Sequence, residues 1–237
     1  MNVLAIGNSF SDDATRYLHG IAHAAGESLT VVNLFIGGCP LERHYRNMLS
    51  GERAYQMRFN GQETGFSVSL DEALLSRAWD IVTMQQASPF SFRPDSYTPY
   101  IEALVEHVRK YSPKARLYLH ETWAYENGTD RIARMGFASE DEMREAVVRT
   151  YHEVADRIGF DGFIPSGELF GMLREAGIEK LHRDGFHASY GLGRYALALL
   201  WYHILTGKDV AENTYCDFDM EISQEEIAIA KKCVMKY

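Results

Sequence analysis

Four separated stretches of this chain carry residues that could share one reaction. Ser9 follows the run Asn2-Val-Leu-Ala-Ile-Gly-Asn8. A serine hydroxyl is a poor nucleophile at neutral pH and needs an adjacent base. Histidine suits, because its pKa lies near the working pH; its second nitrogen then needs a carboxylate to fix tautomer and orientation. Asp184-Gly-Phe-His187 offers both groups from one loop. A spacing of three brings the two side chains together in a single turn, and Gly185 lets that turn be tight. Negative charge developing on a carbonyl oxygen needs donors. The backbone N–H groups of Ser9 and Gly38 could supply two, and the side-chain amide of Gln86, chosen over Gln85, a third.

The same residues admit other roles. Ser9 could cap a helix or help cradle a phosphate in a non-catalytic binding module for phosphate or sugar. His182, Asp184 and His187 are close enough in sequence to share a metal ion. Trp123 and Tyr125 could line an acyl or sugar pocket or simply fill the core. His44 and His120 read as structural, and Cys39 as a buried small residue.

The elements that would position these groups follow from periodicity. Asn2 to Ile6 reads as a buried strand broken by Gly7-Asn8, and 12–25 as a helix ended by Gly26. Further strands fall at 29–36, 80–84, 115–120 and 163–164. Helices fall at 41–49, 71–78, 100–111, 139–158, 166–176, 189–206 and 224–235, with Ser139 and Glu142 spaced as a capping box. Segments 54–59 and 66–70 alternate around Asn60-Gly61, a hairpin signal that interrupts the α/β rhythm and reads as an insertion. Strands alternating with helices imply a parallel sheet. The expected fold is a three-layer α/β/α sandwich over a mostly parallel, five-stranded, flavodoxin-like sheet with a small hairpin insertion, in one domain spanning 1–237. Ligands of such sheets sit beyond the carboxyl ends of the strands, where each candidate segment falls.

Gly7-Asn8-Ser9-Phe10-Ser11 resembles the first block of the SGNH hydrolases, also called GDSL-type esterases. Gly37-Gly38 resembles the second block, and Asp184-x-x-His187 with Ser189 and Gly191 the last. The order and spacing match over nearly the whole chain. Two departures stand out: Asn8 replaces the usual aspartate, and Gln85-Gln86 stands where the third block usually reads Gly-x-Asn-Asp. The resemblance implies metal-independent hydrolysis of small acyl esters, typically acetyl groups on sugars, through an acyl-enzyme. It implies Ser9, Asp184 and His187 as catalytic residues, Ser9, Gly38 and Gln86 as the oxyanion hole, and no cofactor.

Composition bounds the partners. The 237 residues carry a formal net charge of -9, with no cluster of Lys and Arg of the kind a nucleic-acid surface needs. No apolar run approaches the length of a membrane span. Three irregularly spaced cysteines and no recognisable leader favour a reducing, cytoplasmic setting. A small-molecule or carbohydrate ester is the expected partner; oligomeric state is not readable.

Overall fold

The structure, a computed structural model, describes residues 1–237. Its centre is β1 (Asn2–Gly7). Val3, Leu4 and Ala5 are wholly buried, as expected of a strand covered on both faces. On one side β1 pairs in parallel with β2 (Thr30–Phe35). Beyond β2 lie β3 (Tyr55–Phe59) and β4 (Gln62–Val68). On its other side β1 pairs in parallel with β5 (Ile81–Met84), which is followed outward by β6 (Arg116–His120) and β7 (Gly162–Ile164).

This overturns the expectation of a five-stranded, mostly parallel, flavodoxin-like sheet with a small hairpin insertion. The sheet has seven strands in the order β4-β3-β2-β1-β5-β6-β7 and is mixed. The hairpin is its edge: β3 runs antiparallel to β2, with Val32 opposite Phe59 and Phe35 opposite Gln56, and β4 antiparallel to β3. The reason lies in partners remote in sequence. Tyr55 is fully buried, and the buried Arg58 guanidinium lies over the Phe35 ring at 4.5 Å and pairs with Asp12 and Glu63. Local alternation signals a hairpin without saying which strand it will join.

The helices pack in two groups. In the first, α9 (Leu192–Thr206) packs against α1 (Ser9–Thr15), α2 (Leu18–Ala24), α8 (Ser166–Glu175) and α10 (Gln224–Val234). Surrounded by helices, α9 can be apolar nearly all round, with Leu199, Trp201 and Tyr202 fully buried. The second group is α3 (Leu41–Ser50), α4 (Leu70–Leu75) and α5 (Tyr100–Tyr111). Also present are α6 (Asp130–Arg134) and the long α7 (Glu140–Ile158), which packs on α8. At the start of α7, Ser139 caps the Glu142 N–H, but Glu142 accepts from Ala138 N–H rather than closing the box on Ser139. The helix expected over 12–25 is two, parted at Arg16-Tyr17, and the first begins at Ser9 itself.

Candidate active site

Strand order reverses between β1 and β5, and the chain leaves the carboxyl end of β1 directly into α1. Asn8 is the N-cap, its Oδ1 accepting from Phe10 N–H at 3.0 Å. Capping therefore falls to Asn8 and leaves the Ser9 hydroxyl free. The turn is tight enough to require Gly7, where a Cβ would sit 2.3 Å from Ser11 Oγ and 3.2 Å from Gln85 Cδ. After β2, Cys39 N–H closes a turn on Ile36 O, with Gly38 at φ +61. Neither Ser9 N–H nor Gly38 N–H has an acceptor within the protein.

The far end of the chain supplies the rest. Ser9 Oγ–H donates to His187 Nε2 at 2.8 Å, and His187 Nδ1–H donates to Asp184 Oδ2 at 2.7 Å. Asp184 Oδ1 accepts from the His187 backbone N–H at 2.9 Å, so the aspartate holds both the turn and the ring. Partial burial opposes ionisation of Asp184. The His187 ring and backbone N–H bonds outweigh it and hold the carboxyl below its ordinary range.

This loop is tied to the helix that begins at Ser9 by Asp13, which is 1% exposed. Its carboxylate accepts from Arg183 Nη1 at 2.8 Å, Arg194 Nε at 2.8 Å and Ala188 N–H at 3.2 Å. The loop is held from another side by Trp123, whose Nε1–H donates to Phe186 O at 2.7 Å, and by Glu126 N–H on Gly185 O. Trp123 is fully buried, stacked on Phe10 at 4.1 Å and on Phe170 at 5.0 Å. It braces the residues next to Ser9 and His187 and does not reach the cleft, which corrects its reading as a substrate contact. Tyr125 does line the cleft, its hydroxyl 2.9 Å from that of Ser88.

Gln86 does not take the place expected of an oxyanion donor. Its Oε1 accepts from Leu41 N–H and Ala87 N–H, and its Nε2 donates to the Ser96 carbonyl and hydroxyl. Both ends of the amide are used to tie loops, and the residue does not line the cleft. Gln85 is equally committed, donating to Asn8 Oδ1 and accepting from His120 Nδ1–H at 2.7 Å. His120 is buried, which lowers its pKa to about 3, and its Nε2 accepts from the Ser166 hydroxyl.

The metal set His182, Asp184 and His187 does not form. His182 Nε2 donates to the Ala124 carbonyl, and both His187 nitrogens are engaged within the row. One group whose geometry could hold an ion is elsewhere, Glu121, His152 and Glu168, of which none lines the cleft. His152 and Glu168 already bond each other at 2.9 Å.

The cleft above Ser9 and His187 encloses about 340 Å³. Its walls are largely apolar, from Phe10, Phe35, Pro89, Tyr125 and Phe186. Ser88, Arg131 and Phe186 were not singled out by sequence reasoning. Ser88 had a usable signal, since it closely follows a strand; Arg131 lies on the short α6, in a stretch that reads from sequence as a polar loop, and had none.

The pattern of the family described as Domain of unknown function (DUF4886) matches residues 2–236. A crystal structure of a DUF4886 family protein from Bacteroides uniformis is 34% identical with a TM-score of 0.90, covering 100% of this chain and 93% of that one. A protein from Slackia heliotrinireducens, provisionally described as an SGNH hydrolase, is 22% identical with a TM-score of 0.64, over 86% of this chain and 98% of its own. An acetyl-xylooligosaccharide esterase from Geobacillus stearothermophilus is 16% identical with a TM-score of 0.58, over 86% and 94%. The fold is thus that of SGNH/GDSL-type hydrolases. No curated protein matches the chain significantly.

Proposed function

The chain belongs to the DUF4886 family, and from that premise we propose that it is a serine esterase that removes a small acyl group, acetyl first among them, from a carbohydrate-like alcohol. The observation that carries this is the row Asp184–His187–Ser9, with both hydrogen bonds under 3 Å and an open cleft above it.

His187 Nε2 takes the Ser9 proton as Oγ attacks the ester carbonyl, and Asp184 stabilises the imidazolium that results. The oxyanion forms against the N–H groups of Ser9 and Gly38, which have no other acceptor to give up. His187 then protonates the leaving alcohol, and water releases the acyl group from Ser9 by the reverse sequence. The apolar cleft walls suit a short acyl group, and the esterase of acetylated xylooligosaccharides that shares the fold makes acetylated sugars the first substrates to test.

The decisive experiment pairs turnover of para-nitrophenyl acetate with labelling by a fluorophosphonate. Wild type should cleave the ester and gain one probe mass on Ser9, and Ser9→Ala should lose both. Absence of label together with absence of turnover in wild type sinks the esterase reading.

A further inference from the structure

We infer that the substrate carries a carboxylate, and that Arg131 is the residue that binds it; this rests on the esterase reading of the same cleft. The protein is acidic overall, with a formal net charge of -9. The cleft is not. Of the residues that line it, none is Asp or Glu, and the one permanent charge is Arg131.

That guanidinium differs from those of the adjoining cleft. A neighbouring cleft is lined by Arg16, Arg58 and Arg194, and each of these is neutralised: Arg16 and Arg194 by Asp219, Arg58 by Asp12 and Glu63. Arg131 forms no ion pair and no side-chain hydrogen bond. It rests on the face of Phe186, with Cζ 4.1 Å from the ring centroid. Phe186 in turn lies 3.8 Å, centroid to centroid, from the His187 ring. The aromatic face fixes where the cation sits and leaves its donor edge unpaired.

A carboxylate on the substrate would pair with this guanidinium fork. The same contact orients the ester over Ser9. Substrates of this class are small acyl esters of hydroxy acids or acidic sugars.

The test compares para-acetoxybenzoate with its neutral methyl ester, in wild type, Arg131→Gln and Arg131→Lys. Comparing variants on each ester cancels the intrinsic reactivity of the leaving group. Arg131→Gln should lose about 10- to 100-fold more kcat/KM on the anionic ester than on the neutral one, the range expected for a hydrogen bond between charged groups. The loss should fall mainly in KM, and Arg131→Lys should recover part of it. Equal losses on both esters, or no loss, overturn the inference. If wild type cleaves neither ester, the esterase reading fails separately. Calorimetric titration with para-hydroxybenzoate then decides the anion site: binding to wild type and not to Arg131→Gln supports it, and no binding to wild type overturns it.

Discussion

Asp13→Asn is the sharpest probe of how the two ends of the chain are held together. The carboxylate is 1% exposed and receives two guanidinium groups and the N–H of Ala188, the residue after His187. Asparagine keeps the size and removes the charge. It also turns an N–H2 toward donors, so at least one of Arg183 and Arg194 loses its partner. Removing one member of a buried ion pair costs about 3–5 kcal/mol. The arginine side chains are 19% and 13% exposed and can draw some water, so about 3 kcal/mol is the appropriate figure. For a chain of this size that lowers Tm by about 6–12 °C. The catalytic consequence is separate. If the 184–188 loop shifts about 1 Å relative to α1, turnover should fall on the order of 100-fold, because the Ser9–His187 bond is loosened. Thermal unfolding reads the first effect; kcat for para-nitrophenyl acetate, measured well below the variant's Tm, reads the second. A lowered Tm with unchanged kcat would refute positioning and leave a stabilising clamp. An unchanged Tm would refute the clamp itself.

Two further outcomes follow from buried groups. Trp123→Phe removes the donor to Phe186 O and leaves that carbonyl unpaired, so the urea midpoint should show a loss of about 1–3 kcal/mol. Turnover should fall with it, and a change in neither would mean the indole only fills space. Burial raises the Glu121 carboxyl to about 8, against about 4.3 in an unfolded chain. Between those values the folded state holds the extra proton, so stability must fall as pH rises, by at most about 1.4 kcal/mol per pH unit. Tm measured from pH 5 to 8 should fall in wild type and stay flatter in Glu121→Gln, an isostere of the protonated form; parallel curves would show that Glu121 is not the group responsible.

How much of this was legible in the sequence depended on whether the cause was local. The strands and most helices are written in apolar spacing; Ser9 and Gly38 stand out because each closely follows a strand, and Asp184 and His187 because a spacing of three lets one loop supply both. The hairpin was visible, but its place was not. Its attachment to β2 depends on Arg58 reaching Phe35 and Asp12, contacts that no window of sequence contains. Gln86 was misjudged because direction is invisible: the residue type suits an oxyanion donor, yet Leu41, Ala87 and Ser96 consume the amide. Trp123 stayed open for the same reason, since an aromatic after a strand reads equally as wall or brace.

The two departures from the SGNH text are one feature, not two. Asn8 accepts from Gln85 Nε2 at 2.7 Å and donates through Nδ2 to the Cys39 carbonyl at 3.1 Å. An aspartate at this position could accept the first bond but has nothing to donate, and would set a buried negative oxygen against the Cys39 carbonyl. Gln85 has to donate to Asn8 and accept from His120 at once, which an amide can do and a carboxylate cannot. His120 has to remain neutral to give Nδ1–H to Gln85 and still accept from Ser166, and burial keeps it so. Each group in the chain Asn8–Gln85–His120–Ser166 therefore dictates the chemical type of the next. The first glutamine of the pair is a strut that fixes the Ser9 turn from below, and in the proposed reaction the oxyanion would be left to the backbone of Ser9 and Gly38.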